Sequence, residues 1–123
     1  MKACIAVVDA ARARLFTFER RREPTGVVER MTEQPALINP APRLVPHTDE
    51  RFAAAVVGEL TRDANVERII LCASPRMLGK LRCLTTGLHQ PGRVIDELAH
   101  EVTKMTAPEL RDYLASYGLL PAR

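Results

Sequence analysis

Apolar and polar positions follow two different periods along this chain, and the period changes near residue 48. Residues 2–9, KACIAVVD, form a short β-branched apolar run of the kind buried on both faces of a sheet. Residues 13–20, ARLFTFER, alternate: Leu15, Thr17 and Glu19 point one way, Phe16 and Phe18 the other. The four residues Asp9 to Arg12 lie between these runs, so a tight turn and a hairpin are predicted. Pro24 and Gly26 in REPTG mark a second turn, and GVVERMTE follows as a third strand. The first third therefore reads as an antiparallel meander. Prolines 35, 40, 42 and 46 then predict a loop over residues 34–47, because proline breaks helix interiors and central strands.

Beyond this loop the period becomes helical. Thr48 is placed to cap a helix carrying Asp49 and Glu50 in its first turn, with Phe52, Ala53, Val56, Val57 and Leu60 as one apolar stripe. VERIILCAS reads as a buried strand. SPRMLGKLRCL reads as a helix with Ser74 as cap and Pro75 at its first position. GRVIDEL is the last strand candidate. TAPELRDYLASYG is a capping-box helix, with Thr106 as cap, Glu109 three residues on and Gly118 closing the end. Strand–helix–strand units after residue 48 imply parallel pairing. The predicted fold class is α/β, a single domain over residues 1–123: an antiparallel meander of the first three strands plus parallel fourth and fifth strands in one mixed five-stranded sheet, with helices on its faces.

Size and composition narrow the class. A chain of 123 residues is expected to form one domain with a core that needs neither disulfides nor metals. At 46% hydrophobic and 27% charged it has the balance of an ordinary soluble globular protein. No apolar run approaches the roughly 18 residues needed to span a bilayer, so no membrane partner is expected. Asp9 and the arginines after it interrupt the first apolar run, which argues against a secretory signal. Cys4, Cys72 and Cys83 form no CxxC pair, and His47, His89 and His100 are scattered. Reduced thiols in a cytoplasmic protein, with no metal site and no cofactor, are the expectation. The formal net charge is +3, and 15 of the 18 basic residues are arginine, grouped as Arg12 and Arg14, Arg20 to Arg22, and Arg76, Lys80 and Arg82. Such grouping permits an anionic partner; a solvated surface offset by Glu19, Glu23 and Glu29 is the alternative.

Three segments in order, VVDAARARLF, H-x-x-E-R-F opening the middle helix, and LCASPRMLGKLR followed by APELRDYL, resemble the bacterial host-attachment protein family. The resemblance runs from Ala3 to about Leu114. Members of that family are considered distant relatives of the middle domain of archaeal and eukaryotic peptide-chain release factors. The resemblance implies a ribonuclease-H-like fold and an RNA or ribosome setting, the latter an analogy at the level of fold. Release-factor middle domains carry a Gly-Gly-Gln motif before the central helix. The corresponding INPAPRLVPHTDER has neither Gly nor Gln, so peptide release by that route is not expected.

A ribonuclease-H-like fold raises metal-dependent cleavage, which needs several converging carboxylates. Asp9 ends the first strand suitably, but the fourth strand ends on Ala73 and Ser74. Asp9 is better read as a turn-former bonding backbone amides. Ser74 lacks a G-x-S-x-G elbow, and His47 has no identifiable partner, so no catalytic residue is assigned. The candidate nucleic-acid or anion-binding set is Arg12, Arg14, Ser74, Arg76, Lys80 and Arg82. Ser74, Arg76 and Lys80 are included because they lie at a helix N-terminus at the carboxyl end of a parallel strand, a place where α/β folds bind ligands; Arg12, Arg14 and Arg82 come from the clustering of basic residues. The bland alternative makes Arg76, Lys80 and Arg82 the wet face of a helix packed by Met77, Leu78 and Leu81. The sequence thus predicts a non-catalytic binding module with RNA or the ribosome as partner. A protein-interaction or self-associating module, paired through a strand edge or the C-terminal helix, comes second, and a hydrolase or nuclease third.

Overall fold

A computed structural model describes residues 1–40, 48–85 and 92–122. In chain order the elements are β1 (Lys2–Val8), β2 (Arg12–Glu23), β3 (Gly26–Ile38), α1 (Thr48–Leu60), β4 (Arg68–Ala73), α2 (Pro75–Thr85), β5 (Val94–Leu98) and α3 (Ala107–Ser116). The five strands form one sheet in the order β3-β2-β1-β4-β5. β1 pairs antiparallel with β2 and parallel with β4, and β4 pairs parallel with β5. The predicted mixed α/β sheet is the observed one.

Period-2 alternation in the central strands divides the core in two. Cys4, Ala6 and Val8 of β1 and Ile69, Leu71 and Ala73 of β4 face one side. There they pack against Phe52, Ala53, Val56, Val57 and Leu60 of α1 and Met77, Leu78 and Leu81 of α2, so the whole predicted α1 stripe is buried. Ala3, Ile5 and Val7, with Phe16, Phe18, Ile70 and Cys72, face the other side beneath Leu110 and Leu114 of α3. The sheet is sandwiched between α1 and α2 on one face and α3 on the other.

The predicted proline-rich loop is corrected at its start. β3 runs through Pro35 to Ile38, so residues 34–38 are strand. Along β2 the pairing steps from Leu15–Gln34 to Ala13–Leu37, which leaves Pro35 and Ala36 in a bulge of the edge strand. A bulge on an edge tolerates proline because no ladder bond is lost there. Residues 39 and 40 are irregular, as that prediction has them, and its remainder at residues 41–47 lies outside the described residues, as do His47, His89 and the capping side chain of Thr48.

Both ends of α3 close as predicted. Thr106 accepts from the Glu109 N–H while the Glu109 side chain accepts from the Thr106 N–H. At the other end, Gly118 at φ +71° lets its N–H reach the Ala115 carbonyl and the Leu119 N–H reach that of Leu114, both at 3.0 Å, a Schellman closure.

Candidate functional site

The turn Asp9–Arg12 is built by the side chain of Asp9. Its Oδ1 accepts the N–H groups of Ala11 at 2.7 Å and Arg12 at 2.8 Å, and its own N–H reaches the Arg12 carbonyl at 2.9 Å. This is the turn-forming role expected of Asp9. Asn39, buried just after β3, donates from Nδ2 to the Ala10 carbonyl at 2.8 Å and to Asp49 Oδ1 at 3.1 Å. The β1–β2 turn is thereby fastened to the first turn of α1.

Beside this turn, the carboxyl ends of the parallel strands β1 and β4 open into a cleft of about 430 Å³. Asp9, Asp49 and Glu101 contribute carboxylates to it, and Ser74, Arg76 and Lys80 line its α2 side. Ser74 Oγ accepts the Met77 N–H at 3.3 Å, so the predicted cap forms and occupies that hydroxyl. Lys80 donates to Glu50 at 2.6 Å. Arg76 is exposed, with no side-chain partner among the described residues. The cleft is therefore zwitterionic, with its cations gathered at the α2 N-terminus. No group of three His, Cys, Asp or Glu side chains able to hold a metal ion occurs among the described residues.

The six predicted site residues do not form one surface. Ser74, Arg76 and Lys80 meet in the cleft, and Arg12 is exposed at the adjoining turn. Arg82 lies farther along α2, where its Nε donates to Glu97 at 3.0 Å. Arg14 is on the opposite face of the sheet. Its Nε and Nη2 grip Glu33 at 2.9 and 2.8 Å, and its Nη1 donates to the carbonyls of Thr103 and Met105 at 3.0 and 2.5 Å. Its guanidinium also lies 5.1 Å from the Phe16 ring centroid. The hydrogen bond from Arg14 holds the Glu33 carboxyl below the usual carboxylate range. Arg14 thus fastens the segment before α3 to the sheet.

A second clamp of this kind was not anticipated. Arg111 on α3 has a side chain only 2% exposed and donates to Glu29 of β3 through Nε at 2.8 Å and Nη2 at 2.6 Å. Its guanidinium stands 5.4 Å from the Phe18 ring centroid. The aromatic residues divide into two groups. The three phenylalanines are buried, but Tyr117, 49% exposed, meets both His100 and Tyr113 edge-on, and His100 and Tyr113 are tilted to each other, in a partly exposed cluster. His100 Nδ1 and Tyr113 Oη are 2.5 Å apart. Cys4 and Cys72 are buried as expected, whereas Cys83 is exposed. Burial pushes the Cys72 thiol up to about 12.

Residues 38–114, more than half of the chain, match the family model described as "Protein required for attachment to host cells". The chain belongs to this host-attachment family. The matched span holds Asp49, Ser74, Arg76, Met77, Lys80 and Glu101, so most of the cleft wall lies within the family's own region. The β1–β2 turn and almost all of the β2–β3 hairpin precede it. A search of curated proteins found no match. No described helix is long and apolar enough to cross a membrane.

Proposed function

We propose that this host-attachment protein is a cytoplasmic, non-catalytic binding module, ribonuclease-H-like in arrangement and akin to release-factor middle domains. In this reading it contacts RNA or the ribosome through the cleft at the carboxyl edge of β1 and β4. The observation that carries it is Arg76: an exposed guanidinium without a side-chain partner among the described residues, at the α2 N-terminus where the helix dipole favours anions. Lys80 follows one turn on, and its exposed pair with Glu50 is of a kind that contributes roughly 0–1 kcal/mol, so a phosphate can compete for it. Arg12 adds charge at the rim. Arg14 is excluded from the contact set because its donors are engaged on the other face. The non-catalytic reading is supported by the occupied roles of the two residues nearest to chemistry, Ser74 as a helix cap and Asp9 as a turn-former.

The test is RNA binding by the wild type and by an Arg76→Glu/Lys80→Glu double variant across a salt series. Binding that falls steeply with salt and disappears in the variant is the expected result. Salt-independent binding, or binding that survives the double change, overturns the electrostatic reading.

A self-associating protein module is the second reading, favoured by β3. This edge strand pairs only with β2 among the described residues, and it leaves Val27, Val28 and Ile38 at 51, 41 and 66% exposure. A sedimentation coefficient that rises with concentration and falls back in Val28→Lys supports it. A monomer at all concentrations removes it.

A further inference from the structure

We propose that the root of the β2–β3 hairpin is a second anion site, distinct from the cleft, that takes clustered phosphate groups. The last β2 residue paired to β1 is Glu19, Arg20 still exchanges backbone hydrogen bonds with Met1, and from Arg21 onward β2 pairs with β3 alone. Arg20 stands at the root of this two-stranded ribbon, and Arg21 and Arg22 follow on it in succession. All three line one cavity of about 460 Å³, together with Val27, Met1 and the Pro121–Ala122 segment. Because no third strand flanks the ribbon here, side chains from both of its faces reach the same space. None of the described lining residues is acidic, in contrast to the cleft, where three carboxylates oppose two cations.

The three guanidiniums differ in what already holds them. Arg20 is positioned: its Nη1 donates to the Ala122 carbonyl at 2.9 Å, and its backbone exchanges hydrogen bonds with Met1, also at 2.9 Å. That anchorage reduces the side-chain entropy lost when its remaining N–H groups engage a ligand. Arg21 approaches Glu23 at 3.5 Å, with the two side chains 63 and 41% exposed, a loose surface pair that an arriving phosphate can displace. Arg22 is exposed, with no side-chain partner among the described residues. The nearest cross-strand acid, Glu29 opposite Arg20, is gripped by Arg111. Three planar forks in one cavity match the geometry of phosphate oxygens, and their summed charge suits a group carrying several negative charges better than a single carboxylate. Successive phosphates of an RNA strand and a free oligophosphate share this chemistry.

The experiment titrates the full chain with inorganic tripolyphosphate and, separately, with a short single-stranded RNA. Wild type is compared with Arg21→Gln/Arg22→Gln and with Arg76→Gln/Lys80→Gln. Both hairpin residues are exposed, and an unchanged denaturation midpoint verifies that the variant is folded. Loss of the two hairpin arginines should weaken tripolyphosphate binding by about tenfold or more, whereas the cleft variant should not. If RNA is the source of the phosphates, the hairpin variant also lowers the log–log salt slope for RNA by about 1.4, at about 0.7 per contact. If only tripolyphosphate binding falls, the site stands with a free oligophosphate as its ligand. A wild type that binds neither probe, or a hairpin variant that binds both as the wild type does, overturns the proposal. Loss of RNA binding in the cleft variant alone bears on the cleft reading and leaves the tripolyphosphate result to decide this one.

Discussion

Removing Glu29 should destabilise the protein far more than removing its partner Arg111. The Arg111 side chain is 2% exposed and Glu29 is 27% exposed, so the two ends of the clamp differ in their access to water. In Glu29→Ala the guanidinium loses two charge-assisted bonds, of 2.8 and 2.6 Å, and cannot turn outward to recover them from solvent. Breaking a buried pair from one side costs about 3–5 kcal/mol; the partial exposure of Glu29 places this case near 3 kcal/mol. In Arg111→Met the carboxylate left behind regains hydration, and the methionine still covers Phe18. The variant loses a cation–π contact of about 1 kcal/mol. It also removes the buried Nη1 of Arg111, which has no hydrogen-bond partner among the described residues, and such a group costs about 1–3 kcal/mol. Arg111→Met should therefore stay within about 1 kcal/mol of wild type, and the double variant should resemble it, giving a coupling of about 3 kcal/mol, the full cost of Glu29→Ala. Urea unfolding reads this directly: at a slope of about 2 kcal/mol/M, Glu29→Ala shifts the midpoint by about 1.5 M. A Glu29→Ala cost below 1 kcal/mol on the same scale, or equal costs for the two single variants, would refute the asymmetry.

Three further outcomes are expected. Under native conditions a thiol reagent should label Cys83 alone, with Cys4 and Cys72 reacting only on unfolding, because burial raises both of those thiols, Cys72 to about 12; rapid labelling of all three would contradict the packing. Gly118→Ala should cost about 1 kcal/mol in thermal or urea unfolding, purely from the backbone at φ +71°, since an added Cβ meets nothing within 4 Å. Glu33 has a folded-state pKa held below its ordinary 4.5 by Arg14, so its contribution is present above about 4.5 and lost as the pH falls through the folded value. The stability difference between wild type and Glu33→Gln should shrink over that acid window and, for a carboxylate 40% exposed, stay under about 1 kcal/mol at neutral pH; a difference that grows on acidification would contradict the sign.

What the sequence discloses is mostly local. Alternation in residues 13–20, the stripe from Phe52 to Leu60, and the caps at Thr106 and Gly118 each depend on neighbours a few positions away, and each is found where the pattern puts it. The turn at Asp9 belongs with these. Pro35 misled because a proline within a strand is tolerated only at an edge or a bulge, and both properties come from the finished sheet. The charged set was legible only in part, for a related reason. Arg14 is neutralised by a residue 19 positions away, Arg82 by one 15 away, and Arg111 by one 82 away. No helical or strand period links those partners, so a count of arginines overstates how much positive charge is left facing solvent. Asn39 carried a signal, an Asn–Pro pair after a strand, but that signal marks a turn and does not show that the side chain holds α1.

The two clamps on β3 also account for how an exposed edge strand keeps its place. Glu29 and Glu33 are four residues apart on one strand and so point to the same face, towards α3. An apolar residue at either position would gain from burial in any register that turned it inward, and would specify the pairing weakly. The carboxylates gain only where guanidiniums wait. Arg14, itself on β2, is fixed by two carbonyls of the segment preceding α3, and Arg111 is fixed by the helix. A slip of β3 by one residue would turn both acids to the opposite face, and a slip by two would misplace both relative to their partners. Either slip leaves the buried Arg111 guanidinium without its carboxylate, the costly state in the asymmetry above. Inward-pointing charge of this sort also discourages further strands from adding at the edge, since an incoming chain brings no matching cation. Val27 and Val28 at the hairpin end of this strand, and Ile38 at its other end, lie exposed beyond the clamps, and it is at these ends that any pairing between copies would begin.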